Sequence, residues 1–305
     1  MRIVFFGTPD FSRQIAEGLH KNYEIVCVVS QPDRPRGRGH RLMPSPVKKW
    51  ALENKIPALT PSSLRDPLFL KEIDSFQAEV FVVAAFGMLL PENLLNMAPR
   101  GALNIHTSLL PKYRGASPVE NAILAGESIS GVTLMKMDKG LDTGDVYGRI
   151  SFSIEGKNTE EIFEEMIPAS LTLLSDLFEA WKSGVEVPLT PQEGEASYCG
   201  KYDKSSFLLD WEESAEILVR KIRAFYPNAY TFWGDIRLKI LAASVKSPSD
   251  ELPGVVSEVN DEGIYVSTGD GVLSIEIIQR PGKRAMPVAD FLRGASLSQG
   301  TKLGG

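Results

Sequence analysis

The residues best placed to do chemistry are Asn104 and His106, in the run Asn104-Ile105-His106-Thr107-Ser108-Leu109-Leu110-Pro111-Lys112-Tyr113-Arg114-Gly115-Ala116-Ser117-Pro118. Side chains two apart in an extended segment share a face, so the amide and the imidazole point at one spot. An amide NH2 and a protonated ring nitrogen are both donors, able to stabilise a carbonyl oxygen that gains negative charge when its carbon is attacked. Acyl transfer is the reaction class they suit. A plainer role is also open, and for an isolated Asn-x-His it is the commoner one: satisfying the backbone of the loop that follows a strand.

A third group changes the balance. The apolar run from Gly131 to Met137 leads into Asp138-Lys139-Gly140-Leu141-Asp142-Thr143-Gly144-Asp145, a turn in which Asp142 lies between two glycines. A carboxylate placed beside an imidazole favours its charged form and fixes its orientation. Asp138 and Asp145 read as turn residues first and proton carriers only second.

The elements that must position these groups form an α/β pattern. Met1 to Gly7 is a continuous apolar run, as expected for a parallel strand buried on both faces. Thr8-Pro9-Asp10 then starts a helix through Phe11, Ile15 and Leu19. Further strands are expected over Ile25–Val29, 79–85, 101–106, 131–137 and 146–154, and a long helix from Thr159 to Trp181. The topology is Rossmann-like and mostly parallel, yet Gly7-Thr8-Pro9-Asp10-Phe11 lacks the Gly-x-Gly-x-x-Gly of a dinucleotide site. Ser117-Pro118 opens a helix, so the Asn/His pair sits where a strand gives way to a loop, the place where open α/β sheets bind ligands. Phe86-Gly87-Met88-Leu89-Leu90 follows another strand; on pattern alone it is core packing.

Between Arg34 and Lys49 stand six Lys or Arg residues and no acid, with prolines and glycines expected to prevent regular structure. A solvated surface loop and a mobile arm that grips phosphates are both consistent with this charge. A Pro/Gly/Glu-rich passage follows the long helix, and short alternating segments recur beyond it: 230–233, 236–241, 254–259, 263–267 and 272–279. That spacing points to a small antiparallel barrel, OB-like. The expected division is 1–184 for a catalytic domain, 185–205 for a linker and 206–305 for the barrel.

At 305 residues, with 43% hydrophobic and 24% charged residues, the chain is long enough for two domains. Two cysteines, Cys27 and Cys199, and three scattered histidines argue against a disulfide framework or a metal site. The amino end is too short and too soon interrupted for a signal peptide, and no apolar run approaches the roughly 20 residues that cross a bilayer. A cytoplasmic monomer is expected. The net charge of −6 argues against a broadly basic nucleic-acid binder, so any contact with RNA must be concentrated in a few places.

Taken together, the Asn-x-His, the run from Ser108 to Pro118 and the Asp138-to-Gly144 turn resemble, in order and spacing, the 10-formyltetrahydrofolate-dependent formyltransferase family, and the resemblance extends over nearly the whole chain. It implies a Rossmann-like domain followed by a tRNA-binding OB-like barrel, 10-formyltetrahydrofolate as donor, and the amino group of a methionyl-initiator tRNA as acceptor in translation initiation. By the same resemblance Asn104, His106 and Asp142 are catalytic, while Phe86, Gly87, Leu89, Ser108, Leu109, Leu110 and Pro111 line the folate pocket. Members specific for initiator tRNA carry a Gly-Arg-Gly insertion where Arg38 stands, which implies tRNA contacts at Arg36, Arg38, Arg41 and Lys48. On the barrel side Lys201, Lys204, Arg223, Lys283 and Arg284 are either tRNA contacts or solvated surface. The family's Pro-aromatic-Pro is replaced by Tyr226-Pro227-Asn228. A sugar-amine or glycinamide ribonucleotide formyltransferase would need neither basic loop nor barrel; a formyltetrahydrofolate hydrolase would share the barrel; a silent RNA-binding module would leave Asn104, His106 and Asp142 idle.

Overall fold

The computed structural model describes residues 1–36, 41–246 and 251–304. The chain divides into two compact units, one of Met1–Pro118, Ile129–Phe152 and Phe163–Gly200, the other of Val119–Ser128, Ser153–Ile162 and Lys201–Gly305.

In the first unit Ile3, Val4, Phe5 and Phe6 are fully buried, which requires cover on both faces of the strand Arg2–Gly7. That strand is central in a seven-stranded sheet ordered Val146–Ser153, Ile129–Lys136, Ala102–His106, Val80–Ala84, Arg2–Gly7, Glu24–Val29 and Ala58–Leu59. The pairs Arg2–Gly7 with Glu24–Val29, Arg2–Gly7 with Val80–Ala84 and Val80–Ala84 with Ala102–His106 are parallel, whereas Ala102–His106 pairs antiparallel with Ile129–Lys136. One face packs Val4, Phe6, Phe81 and Val83 against Phe69 and Ile73 of the helix Pro67–Ser75. On the other, the helix Asp10–His20 buries Phe11, Ile15 and Leu19, with Phe11 against Phe163 at 5.1 Å.

The chain builds outward from Arg2–Gly7 to Ala58–Leu59, then returns to place Val80–Ala84 on the opposite side of the first strand. Gly7, Ala84 and His106 therefore end neighbouring strands at the same sheet edge, beside the switch in strand order.

The basic run departs from expectation. Arg34–Arg36 and Arg41–Met43 form a short antiparallel pair, with Pro35 opposite Leu42. In a two-stranded ribbon both strands are edges, so a proline can face its missing N–H outward. Arg38 lies outside the described residues. At the foot of the ribbon Ser45 caps the helix Pro46–Glu53, its hydroxyl accepting from the Lys48 N–H at 3.0 Å.

The second unit carries an antiparallel sheet ordered Tyr230–Trp233, Ile236–Lys246, Val272–Gln279, Gly263–Ser267 and Val256–Asn260, with Met286–Pro287 added to Val272–Gln279. Register shifts in Ile236–Lys246 bend it toward the OB-like half-barrel, and the helix Ala215–Ala224 packs on that strand. Ser214 caps the helix by accepting from the Ile217 N–H at 3.3 Å. Arg223 has a structural task here: its guanidinium donates to the carbonyls of Lys157 and Ile154, each at 2.8 Å. Among the described residues no helix is long and apolar enough to cross a membrane.

Candidate active site

Asn104 and His106 stand at the carboxyl end of Ala102–His106. Asn104 is half-buried and its amide donates to Asp142 Oδ1 at 3.2 Å. His106 is 5% exposed and meets Asp142 Oδ2 through Nδ1 at 3.6 Å, with Nε2 2.9 Å from the Tyr113 carbonyl. Because a carbonyl only accepts, Nε2 carries a hydrogen. The second carboxylate oxygen also accepts from the Gly115 N–H at 2.8 Å. The three side chains thus converge although 38 residues separate Asn104 from Asp142.

The electrostatics differ from the sequence-based expectation of a ring held charged by its carboxylate. Burial pushes the imidazole below its ordinary value, and this outweighs Asp142 and the Tyr113 carbonyl, which both favour the charged form; Arg114 opposes it further. The resting ring is therefore neutral, hydrogen on Nε2, lone pair of Nδ1 toward the carboxylate. A second proton on Nδ1 would face the Asp142 carboxylate, which favours the charged ring together with the Tyr113 carbonyl.

Three of the five non-glycine residues with positive φ among those described lie at this edge: Ala85 (43°), Tyr113 (60°) and Asp142 (52°). Each such residue costs on the order of 1–3 kcal/mol and persists where its surroundings over-determine it, which is characteristic of functional sites. Around Asp142 the restraint is explicit. Gly140 N–H and Thr143 Oγ1 donate to Asp138 at 2.9 and 2.7 Å, which gives Asp138 the turn-holding role expected for it. A Cβ at Gly144 would collide with the Lys136 carbonyl.

The residues expected to line the folate pocket fall into two groups. Phe86 turns its ring into the core, 5.4 Å from Phe6, and presents its carbonyl, which accepts from Thr8 Oγ1 at 3.1 Å and Gln31 Nε2 at 2.9 Å. Gly87 (φ 82°) and Leu89, 74% exposed, remain on the surface of the same turn. Ser108 is fully buried; its hydroxyl donates to the Lys112 carbonyl at 2.6 Å while its own carbonyl accepts from Thr133 Oγ1 at 2.7 Å. Leu110 is buried, its N–H on Thr133 and its carbonyl accepting from Arg149 at 3.0 Å. Leu109 and Pro111 are half-buried beside them. The 108–111 segment is thereby fixed through its backbone to the strand bearing Thr133, and Thr133 lies opposite His106 in register.

Among the basic residues, Lys48 Nζ is paired with the Asp33 carboxylate at 2.8 and 2.9 Å. Arg36 and Arg41 face each other in register across the ribbon.

Sequence reasoning passed over the partners supplied by residues 185–200, which group with the first unit. Tyr198–Cys199 pairs in parallel with Arg114–Gly115, and Gln192 contacts both Arg114 and the Asp142 turn. A two-residue strand and a lone glutamine leave no periodicity to read.

An amide donor, a buried ring and a carboxylate at a sheet switch point fit attack of a nucleophile on a small acyl carbonyl. The matches to known proteins agree. A family model described as formyl transferase matches residues 1–169, and one described as formyl transferase, C-terminal domain, matches 201–296. A methionyl-tRNA formyltransferase of Thermus thermophilus is 42% identical over 307 residues, covering 100% of this chain and 99% of the relative. One of Marinobacter nauticus is 40% identical, covering 96% of each. HypX from Aquifex aeolicus, solved with tetrahydrofolic acid, shares the fold with a TM-score of 0.63 at 19% identity, over 96% of this chain and 47% of that one. Site geometry, fold and end-to-end likeness lead to one conclusion: the chain belongs to the formyl transferase family.

Proposed function

We propose that this protein transfers a formyl group from 10-formyltetrahydrofolate to the free amino group of methionyl-initiator tRNA, and so acts in translation initiation as a methionyl-tRNA formyltransferase. The observation that carries the reading is the convergence of Asn104, His106 and Asp142 in a chain alike from end to end to enzymes of that name. The donor fits what the site offers: a half-buried Asn104 amide with a hydrogen left over from its bond to Asp142, and an exposed glycine, Gly87, on the turn that follows the neighbouring strand Val80–Ala84.

When bound, 10-formyltetrahydrofolate supplies an electrophilic formyl carbon. Asn104 donates to the oxygen that becomes negative as the amine adds, and loss of one such donor typically costs about 2.7 to 4 kcal/mol of barrier. His106 begins neutral and Asp142 faces its free Nδ1, so the pair receives the proton shed by the attacking amine, directly or through one water, and returns it to the folate nitrogen that departs as its bond to the formyl carbon breaks. The positive charge so placed on the ring stabilises the neighbouring oxyanion by attraction, while its two N–H groups stay with the Tyr113 carbonyl and the Asp142 carboxylate. Phe86, Gly87 and Leu89 on one loop, and Leu109, Leu110 and Pro111 on the other, hold the pterin, with Ser108 fixing the second loop. Arg36, Arg38 and Arg41 grip tRNA phosphates, with Lys48 exchanging Asp33 for a phosphate or holding the arm's base. The enzyme works as a cytoplasmic monomer.

The test supplies labelled formyl donor, charged initiator tRNA and a free sugar amine in one reaction. Label is expected in formyl-methionyl-tRNA. Label in the sugar, or released to water as formate, would overturn the assignment in favour of another folate-dependent enzyme.

A further inference from the structure

Gln192 makes four hydrogen bonds with one carboxamide. Its Nε2 donates to the carbonyls of Asp142 at 2.9 Å and Gly144 at 2.8 Å. Its Oε1 accepts from Arg114 Nε at 3.1 Å and Nη2 at 2.7 Å. Both ends of the group are fully used, and all four partners belong to two segments.

Those segments are the ones that surround His106. Asp142 carries the carboxylate and sits at a φ of 52°, a backbone state that an L residue leaves unless restrained. Arg114 is flanked by Tyr113, whose carbonyl accepts from His106, and by Gly115, whose N–H donates to Asp142. Asp142 and Arg114 are also the two charged side chains that act on the imidazole. One amide therefore ties together the backbone of the one and the guanidinium of the other.

We propose that Gln192 is a positioning residue for formyl transfer, a clamp that sets the distance and angle between the Asp142 carboxylate and His106 without touching either substrate. The proposal rests on the formyl-transfer reading of the site. Residues 185–200 then belong to the catalytic apparatus, and the carboxylate is aimed by a residue 50 positions away in the chain.

Gln192→Met keeps the length of the side chain and removes all four hydrogen bonds. Full-length protein is assayed for kcat and for KM toward donor and methionyl-tRNA, and the His106 imidazole is titrated by NMR. The chain has three histidines, so a His106→Gln spectrum assigns the signal. The expected result is a fall in kcat of about tenfold or more, both KM values within twofold of wild type, and a displaced His106 titration. A kcat or a titration matching wild type overturns the clamp, and so does a loss confined to KM. Wild type is run alongside: if it moves no formyl group to methionyl-tRNA the functional reading fails, while the titration still decides whether Gln192 governs the Asp142–His106 pair.

Discussion

At rest His106 commits its one ring hydrogen, on Nε2, to the Tyr113 carbonyl at 2.9 Å and turns Nδ1 toward the Asp142 carboxylate at 3.6 Å. Burial keeps the second proton off the ring at rest. This has a consequence for stability, with its sign fixed by linkage. The ring titrates lower when folded than when unfolded, so above about pH 6.5 both states are neutral and nothing is lost. As the pH falls through that value the unfolded chain binds a proton first, and stability declines until the folded ring titrates too. Thermal unfolding at pH 7.5 and pH 5.5 is expected to show a larger drop in Tm for wild type than for His106→Gln; equal drops would contradict the neutral buried ring. In kinetics, the proposed mechanism makes Asp142 the charge that stabilises the proton taken up by His106; Asp142→Asn keeps the shape and removes that charge, so kcat is expected to fall about a hundredfold or more with both KM values little changed. A change confined to KM would reassign Asp142 to substrate binding. The convergence of Asn104, His106 and Asp142 was legible in the sequence because their types, alternation and flanking glycines are local features. The place of Gln192 was not, since its contacts are made across 48 to 78 residues.

At the scale of the element, the strands of the first sheet announce themselves through runs such as Ile3–Phe6 and Val80–Ala84, apolar on both faces because helices cover both. The barrel strands also show in the sequence, since alternation survives where one face is wet. What stayed hidden were pairings too short for a period: the ribbon Arg34–Arg36 with Arg41–Met43, and Arg114–Gly115 with Tyr198–Cys199. The second of these is sterically demanding. Gly115 has a φ of 116°, and a Cβ there would collide with the Cys199 carbonyl. Gly115→Ala must therefore strain the backbone or push the strands apart, at a combined cost of about 2–4 kcal/mol. Because the Gly115 N–H is also a ligand of Asp142, activity is expected to fall further than the loss of folded protein explains. Denaturant titration alongside kcat measured well below the unfolding midpoint separates the two; unchanged stability would show that the ladder yields at no cost.

For the whole molecule the governing quantity is charge. A chain of net −6 repels a polyanion at long range, so binding tRNA requires a local excess of positive charge presented away from the bulk of the protein. On the proposed function the basic run from Arg34 to Lys49 is the candidate for it, and since Asp33 pairs with Lys48, the proposal assigns the contact to Arg36, Arg38 and Arg41. Each phosphate they neutralise releases counterions, giving a slope of log K against log salt of roughly −0.7 to −0.9 per contact. Replacing Arg36, Arg38 and Arg41 together by alanine is thus expected to weaken methionyl-tRNA binding and to make the slope shallower by about two to three units, while affinity for the folate donor stays the same. The same variant tests where specificity resides. If the arm only concentrates tRNA near the site, high enzyme concentration restores full turnover; if it also orients the methionyl ester against Asn104 and His106, kcat stays low at saturation. Binding measured across salt concentrations together with saturating single-turnover rates tells these apart, and a salt slope equal to that of wild type would place the tRNA contact elsewhere in the chain.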